Sequence, residues 1–180
     1  MILIGMINMK LDDLIIREAT LEDIPMVARL HVDSWNKTYK GIIDQEYLNN
    51  MKKNIDKRIE RMRNEFKQRK MMVAILNNEI VAFTEFTLNN EFSKELDIDC
   101  EFCGLYVKNE FVGIGIGSKF FDYIKSIFVK NGKHKMGLWC VKENENAIKF
   151  YIAKGGIQVK EKTFTLAGKE YNEVAFIYDL

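Results

Sequence analysis

The sequence predicts a mixed α/β (α+β) domain, built on a central sheet of about six to seven strands flanked by helices. Three observations predict this class. Apolar runs typical of strands alternate with segments whose apolar residues recur at helical spacing. The chain has 180 residues with no internal repeat or linker, which suits one domain with a proper core. Its hydrophobic content of 47% is too high for a disordered chain.

The first part of the chain is predicted to contain a strand, two helices and then three strands. Thr20 or Asp23 can cap the first helix, and Asp44 can cap the second. Apolar side chains recur at helical spacing in both helices, and the strands are short apolar runs bounded by turn residues. In chain order these elements cover residues 14–17, 24–35, 51–70, 72–76, 80–86 and 100–107.

The remaining part is predicted to contain a helix, a strand, a second helix and two closing strands. Gly132 ends the first of these helices, and Gly155 with Gly156 ends the second. In chain order these elements cover residues 118–129, 136–141, 146–154, 159–166 and 171–178. We therefore expect a single domain over residues 14–180, preceded by an N-terminal extension of residues 1–13.

Charge and cysteine content exclude several classes of function. The 27 basic and 26 acidic residues leave a net charge of +1, so neither nucleic acid nor a membrane is expected as a partner. An odd number of cysteines argues against a disulfide framework, and Cys100 and Cys103 point to opposite faces of a strand. His31 and His134 lack metal-ligand spacing, so no metal site is predicted. Because the N-terminus lacks the basic region of a signal peptide, a cytoplasmic protein is expected.

The segment of residues 51–70 is unusually basic, with nine Lys or Arg side chains and three acidic ones. A solvated helix face explains this bias, since charge runs usually face water. A patch for an anionic ligand or partner is the alternative interpretation. RNA is not favoured, because Phe66 is the single aromatic residue in the segment.

The most informative stretch is a glycine-rich turn that follows the strand at 100–107 and opens the next helix. Glycine occupies alternate positions there, at Gly113, Gly115 and Gly117. Such a backbone can approach a bulky anion closely, and the free N–H groups of the helix N-terminus then point at it. The pattern predicts a phosphate or pyrophosphate site. It is not a P-loop, because Ser118 precedes Lys119, and Ser118 replaces the third glycine of a dinucleotide fingerprint.

This turn resembles the acetyl-CoA-binding motif Q/R-x-x-G-x-G/A of the GNAT (Gcn5-related N-acetyltransferase) superfamily. The motif aligns with residues 112–117, where Val112 replaces the usual Gln or Arg. A second segment, residues 144–155, looks like the family pattern N-x-x-A-x-x-x-Y-x-x-x-G, with Asn144 and Tyr151 at its polar positions. The resemblance extends over about residues 14–178 and implies a GNAT-like acyl-CoA N-acyltransferase fold.

The resemblance implies acetyl-CoA as co-substrate. In the family, backbone amides of the glycine turn hold the pyrophosphate, and a backbone N–H of the preceding strand polarises the thioester carbonyl. The 3′-phosphate is expected near Lys119 or Lys149. The cofactor-binding residues implied in this way are Leu105, Tyr106, Val107, Val112, Gly113, Ile114, Gly115, Ile116, Gly117, Ser118 and Asn144.

Acyl transfer to an amine needs a proton donor for the leaving thiolate and a base for the amine proton. Tyr151 matches the family tyrosine near the coenzyme A sulfur and is the predicted donor. Glu101 matches the glutamate base of the histone-acetylating branch, because it lies eleven residues before Val112. Partial desolvation would raise its pKa toward a useful value. Glu85 and an ordered water chain are the alternatives.

Two further hypotheses concern the substrate side. Asp97, Asp99 and Glu101 alternate, so an extended strand would align them in an acidic row that attracts a cationic amine. The closing strands leave an edge that could pair with a second copy, which makes a homodimer an option.

The function predicted first is an N-acetyltransferase that transfers the acetyl group of acetyl-CoA directly to a primary amine in a ternary complex. The acceptor is a small-molecule amine or a protein amine, and no motif identifies it. The alternative is a non-catalytic, coenzyme A-binding regulatory module on the same fold, because a fold does not guarantee activity.

Overall fold

The computed structural model describes residues 11–180, which form a seven-stranded mixed sheet with helices packed on both faces. The predicted fold class is confirmed. The strands are β1 (Ile15–Glu18), β2 (Lys70–Leu76), β3 (Glu79–Thr87), β4 (Cys100–Val107), β5 (Lys135–Val141), β6 (Ile157–Leu166) and β7 (Lys169–Asp179). The helices are α1 (Ile24–Thr38), α2 (Gln45–Lys53), α3 (Ile55–Glu65), α4 (Ile116–Lys130) and α5 (Glu145–Ala153).

The strand order in the sheet is β1-β2-β3-β4-β5-β7-β6. All neighbours are antiparallel except β4 and β5, which run parallel and pair only at Cys100 with Met136 and at Glu101 with Gly137. Beyond Glu101 the two strands have no further register pairs. We call the resulting gap between the second half of β4 and β5 the sheet opening.

Each face of the sheet has its own apolar core. Met72 and Ala74 of β2 pack in a cluster that includes the phenylalanines of α4. Their neighbours Met71 and Val73 point the other way, into a cluster with α1 and α3. This alternation follows from the period of two along a strand, so neighbouring apolar residues of β2 contribute to opposite faces of the sheet. We refer to the two sides as the α4 face and the α1/α3 face.

The prediction of one helix over residues 51–70 is wrong. Two helices, α2 and α3, meet at Asn54, which ends the first and precedes the second. Both the backbone N–H and the side-chain amide of Asn54 donate to the Asn50 carbonyl, at 3.0 and 2.9 Å, which closes the last turn of α2. The break leaves the apolar spacing of Ile59 and Met62 intact, which is why periodicity alone does not reveal it.

The helix caps are partly as expected. Asp44 caps α2 by accepting from the Tyr47 amide at 2.9 Å. Asp23 lies at the N-cap position of α1 but makes no capping bond, because its carboxylate pairs with Arg17 at 2.7 Å and accepts from the Thr20 amide. Every helix in residues 11–180 is too short or too polar to traverse a lipid bilayer. Residues 1–10 of the predicted extension lie outside the described residues.

Candidate active site

The glycine-rich turn has the backbone geometry of an anion-binding loop. Gly113 and Gly115 have φ angles of 88° and 95°, a left-handed conformation that other residues rarely adopt. Gly115 immediately precedes α4, and no side chain caps this helix. The first N–H groups of α4 are therefore available to an anion, which the helix dipole also attracts. This arrangement fits the pyrophosphate of a nucleotide cofactor.

A turn of 3-10 helix near the N-terminus, Leu11–Asp13, packs against this loop. Lys119 donates from Nζ to the Leu11 carbonyl at 2.6 Å, and a Cβ on Gly115 would lie 3.1 Å from Leu11 Cδ1. Lys149 forms an exposed ion pair with Glu145 at 3.3 Å. Both lysines predicted near the 3′-phosphate thus already have partners of their own.

The sheet opening exposes the backbone of β4 next to this loop. The Lys108 amide donates to the Val81 carbonyl at 2.8 Å, which fixes the direction of the backbone groups along β4. Because N–H groups alternate sides in an antiparallel pair, those of Leu105 and Val107 point away from β3, toward the opening. These are two of the three strand residues predicted to lie along the cofactor, and their amides could polarise a carbonyl placed there.

A β-bulge lies in the middle of β4. The pairing with β3 shifts between Glu85 and Phe86, so that Gly104 and Phe102 face them and Cys103 is the extra residue. Gly104 has a φ of 151°, and a Cβ there would lie 3.1 Å from the Tyr106 hydroxyl. Glycine therefore lets the Tyr106 ring fold over the strand at the bulge. Trp35 of α1 donates to this hydroxyl from Nε1 at 3.5 Å.

Tyr151 projects from α5 among aromatic rings, including Phe121 at 6.1 Å and Phe176 at 6.0 Å between centroids. The residue is only 7% exposed, and no protein group in residues 11–180 hydrogen-bonds its hydroxyl. Burial raises the pKa of this phenol well above its ordinary value, with smaller contributions from Cys140 and other tyrosines. The hydroxyl is thus held protonated, as a proton donor must be.

Tyr151 shares its surroundings with groups from distant parts of the chain. After burial and Cys140, Tyr106 and Tyr39 add to the rise in its pKa. The pKa of Tyr39 is itself raised, first by burial, and the side chain of Asn144 partly opposes this. Asn144 also caps α5 by accepting from the Ala147 amide at 3.3 Å. The position predicted to contact the cofactor therefore has a structural role as well.

Glu101 lies on the α1/α3 face, because its neighbours Cys100 and Phe102 both pack toward α4. It is buried, and Oε1 accepts a hydrogen bond from the Ser93 hydroxyl. Its second oxygen, Oε2, is buried with no partner. Burial raises the pKa of this carboxyl, while Ser93 and the Phe92 backbone lower it. A buried carboxyl with a raised pKa and one free oxygen has the properties of a base.

Other charges on this face are mostly neutralised. Glu85, the alternative base, forms an ion pair with Arg69 at 3.3 Å. Glu173 of β7 lies 3.5 Å from Lys162, which also binds Glu95 at 2.6 Å. Glu101 makes no ion pair among the described residues. This distinguishes it from Glu85 and favours Glu101 as the base.

The acidic row of Asp97, Asp99 and Glu101 is not formed. Asp97 and Asp99 precede β4, and their carboxylates bind the start of β5. Asp99 accepts from the amides of His134 and Lys135 at 2.7 and 3.0 Å, and Asp97 pairs with the Lys135 side chain at 2.8 Å. Backbone amides bind Asp99 and a lysine side chain binds Asp97, so these two carboxylates are not free to form a row with Glu101.

The structure brings the predicted residues together in two groups. Gly113 to Ser118, Leu105 and Val107 lie along the turn and the sheet opening, and a Cβ on Gly117 would meet Leu105, Val107 and Phe150, the residue before Tyr151. Glu101 lies farther back on β4, where Ser93 bonds both Glu101 and Trp139, and Lys162, the ion-pair partner of Glu173, lies 3.9 Å from the Trp139 ring. The side chains of Val112 and Ile114 are exposed, so these two residues can contribute to the turn mainly through their backbone.

Several residues of the site were missed from the sequence. Ser93 lies in an irregular polar segment without periodicity, where its hydroxyl accepts from Trp139 Nε1 at 3.0 Å and donates to Glu101. Glu173 could have been found, because Val174 of β7 faces α4 and the preceding residue of a strand faces the other way.

The family of the chain follows from comparison with known proteins. The sequence model of the acetyltransferase (GNAT) family matches residues 27–155, more than half of the chain. The chain belongs to the GNAT acetyltransferase family. The resemblance carried by the glycine turn and the segment of residues 144–155 is thereby confirmed.

Relatives of this GNAT protein agree with that assignment. It is 29% identical over 161 residues to YuaI of Bacillus subtilis (strain 168), described as an uncharacterized N-acetyltransferase, covering 88% of this chain and 89% of YuaI. A GCN5-related N-acetyltransferase from Rhodopseudomonas palustris superposes with a TM-score of 0.76 at 16% identity, covering 98% and 100% of the chains. YncA from Salmonella typhimurium, with its cofactor acetyl-CoA, has a TM-score of 0.65 at 16% identity, covering 93% and 94%. At these identities the two structures establish the fold alone.

Proposed function

We propose that this GNAT protein transfers the acetyl group of acetyl-CoA to a primary amine, directly and in a ternary complex. One observation carries the proposal. The sheet opening lies beside the glycine turn, where N–H groups of α4 are free, and α5, which carries the hydroxyl of Tyr151, packs at the same place: a Cβ on Gly117 would meet Leu105, Val107 and Phe150. A thioester bound along Leu105 and Val107 would meet that hydroxyl. The presence of acetyl-CoA in the structure of YncA supports the same donor here.

The residues present fit this co-substrate. Gly113, Gly115 and the start of α4 offer backbone N–H groups for the pyrophosphate, and the N–H groups of Leu105 and Val107 can bind the pantetheine arm and the thioester carbonyl. Acetyl-CoA supplies the acetyl group: the amine nitrogen forms the new C–N bond, the C–S bond breaks, and coenzyme A leaves as the thiol. Two side chains of the protein then account for the protons.

Glu101 takes the proton that the amine must lose. A water molecule carries this proton to Glu101, because its free oxygen, Oε2, is buried and out of direct reach of the amine. Its raised pKa makes it a stronger base than an ordinary carboxylate. Tyr151 donates its hydroxyl proton to the sulfur as the C–S bond breaks, and is reprotonated from solvent. Because burial keeps this phenol protonated, the donor is ready over the whole range of working pH.

A covalent acetyl-cysteine route is disfavoured. Burial raises the pKa of Cys103 and of Cys140 to about 12, so neither thiol forms the nucleophilic thiolate near neutral pH. Three free thiols also suit a reducing cytoplasm, the compartment that we propose for the protein.

The test is release of coenzyme A thiol from acetyl-CoA in the presence of a panel of amines. We expect amine-dependent release, with the product acetylated on nitrogen as judged by mass spectrometry. Tight coenzyme A binding without release from any amine would contradict the proposal and favour the non-catalytic module. Absence of coenzyme A binding by calorimetry would contradict both.

A further inference from the structure

Arg58 of α3 is a partly buried arginine without an acidic partner. Among the described residues, Arg17, Arg61 and Arg69 each form an ion pair with a carboxylate. Arg29 and Arg63 are exposed to water and need none. A guanidinium that is partly removed from water without a counter-charge is unfavourable, and it stays charged because an arginine does not lose its proton in a protein.

Among residues 11–180 the side-chain partner of Arg58 is a neutral histidine. Arg58 Nη2 lies 3.2 Å from Nε2 of His31. Burial lowers the pKa of His31 well below its ordinary value, and the nearby Arg58 and Arg61 add to this effect. His31 thus accepts the bond uncharged, and its Nδ1 and the Nε of Arg58 are both buried with no partner in the described part of the chain. The pair has hydrogen-bonding capacity left over, and its positive charge forms no ion pair there.

Arg58 lies beside the transfer site and not on a remote surface. The His31 ring contacts the Tyr106 ring, with 4.7 Å between centroids, and stacks on Trp35 at 5.4 Å. Burial and Arg61 lower the pKa of Arg58, while Tyr106 and Glu85 act in the opposite direction. Tyr106 lies on β4 between Leu105 and Val107, so the His31 ring connects Arg58 to the part of β4 where the acetyl group would be transferred.

We propose that Arg58 binds a carboxylate of the acceptor, so that the acceptor is a small primary amine that also carries a carboxylate. This inference rests on the proposed function. It assigns the carboxylate of the acceptor to Arg58, whose guanidinium makes no ion pair among the described residues, and leaves the amine free to reach the thioester along β4. Arginine suits this role, because its planar guanidinium donates two parallel hydrogen bonds to a carboxylate.

The test compares three acids with their amides: alanine, β-alanine and 4-aminobutanoate against alaninamide, β-alaninamide and 4-aminobutanamide. In the unmodified protein we expect kcat/KM to favour the acid in at least one pair. In Arg58→Gln, kcat/KM for that acid should fall about 10- to 100-fold, the size typical of a charge-assisted hydrogen bond. Its amide should change less than about twofold, and Arg58→Lys should restore part of the loss.

Arg63→Gln is the matched control, because Arg63 lies on the same helix with the same charge but is exposed. It should leave every acid-to-amide ratio unchanged. An equal loss for acids and amides in Arg58→Gln, or the same ratio shift in Arg63→Gln, would overturn the inference. Thermal unfolding of both variants separates a folding defect from a binding effect. Arg58→Gln removes a partly buried charge that has no ion pair among the described residues, so its melting temperature should not fall.

Calorimetric titration of the coenzyme A-loaded protein with the same six compounds separates this inference from the proposed function. Acid-selective binding that Arg58→Gln abolishes would support the carboxylate site even if no thiol is released. Thiol release with acids and amides alike would support the transferase and refute the carboxylate site.

Discussion

The proposed cofactor side and the proposed acceptor side of this protein are built from different chemical groups. The cofactor side, formed by the glycine turn and the sheet opening, offers mainly backbone N–H groups. The acceptor side, on the α1/α3 face, offers side chains from separate elements: Arg58 of α3, Glu101 of β4, Ser93 before it and Glu173 of β7. Backbone recognition depends on the local conformation of a few consecutive residues, whereas side-chain recognition depends on the whole fold.

This difference indicates on which side of the molecule ligand specificity can change. A loop that binds through its backbone keeps its ligand as long as Gly113 and Gly115 allow its conformation, whatever the side chains around it. The acceptor side has no such constraint, since each of its charges can be replaced without rebuilding the sheet. The two sides should therefore respond independently to substitution, except at the residue that lies between them.

Tyr151 lies at that boundary, and its substitution should have the largest effect. Tyr151→Phe removes the proton donor, so we expect kcat to fall by at least about 100-fold, as is typical for general acid–base catalysis. The coenzyme A affinity should not change, and neither should thermal stability, because the hydroxyl has no protein partner in residues 11–180. Steady-state kinetics and calorimetry test this. An unchanged kcat would exclude Tyr151 as the donor.

Glu101→Gln should have the next largest effect and belongs to the acceptor side alone. We expect kcat to fall about 100-fold, with coenzyme A binding unchanged. In the unmodified protein, activity should rise with pH as Glu101 loses its proton, at a pH above that of an ordinary carboxylate because burial raises its pKa. This rise should disappear in Glu101→Gln, as measured from kcat against pH.

The sign of the stability effect at Glu101 is the opposite of that on activity. A carboxyl whose pKa is raised by folding binds more protons in the folded state, so the folded protein loses stability as pH rises past its ordinary pKa. Glu101→Gln should therefore raise the melting temperature at neutral pH.

Ser93→Ala tests the same carboxyl through its hydrogen-bond partner. Without the Ser93 hydroxyl, which lowers the pKa of Glu101, the rise in activity with pH should move to higher pH. A pH profile that survives in Glu101→Gln would assign the base to Glu85 or to water.

Gly115→Ala should have the smallest effect and belongs to the cofactor side. A non-glycine residue at a φ of 95° is strained by about 1–2 kcal/mol, and the new Cβ would press on Leu11. We expect coenzyme A affinity to fall about tenfold, a change of 1.4 kcal/mol, with the acceptor KM unchanged. Gly168→Ala is the control, because it has a φ of 77° in the turn between β6 and β7 with open space around it. A similar loss of coenzyme A affinity in that control would show that the effect is not local.

The contrast between backbone and side-chain recognition also explains which parts of the molecule can be predicted from the sequence. Alternating glycines ahead of a helix, and Tyr151 seven residues after Asn144, are local patterns, and both lie where the fold uses them. The periods of two and 3.6 residues also predict most strands and helices, because burial on two faces imposes them. The fold and the cofactor side can therefore be predicted largely from patterns among residues that are close in sequence.

The acceptor side could not be predicted in this way. Asp97 and Asp99 alternate with Glu101, but their carboxylates bind the amides and the lysine at the start of β5, a partner thirty-odd residues away in sequence. Arg58 lies in a run of basic residues, most of which are exposed, and the sequence pattern does not distinguish it from them. Only the break at Asn54 and the packing of α3 on α1 set it apart, and both are products of tertiary structure.

The sheet opening also divides the molecule along the chain. Strands β1 to β4 pair in succession as antiparallel neighbours, and β5 to β7 form the other part of the sheet, so each part is continuous in sequence apart from helices. Two residue pairs join them across the β4–β5 border. A chain emerging from the ribosome can therefore complete the hydrogen bonds of its first four strands before β5 has been made. The gap in which we propose that acetyl-CoA binds is therefore also the border between the part of the sheet that is synthesised first and the part that follows it.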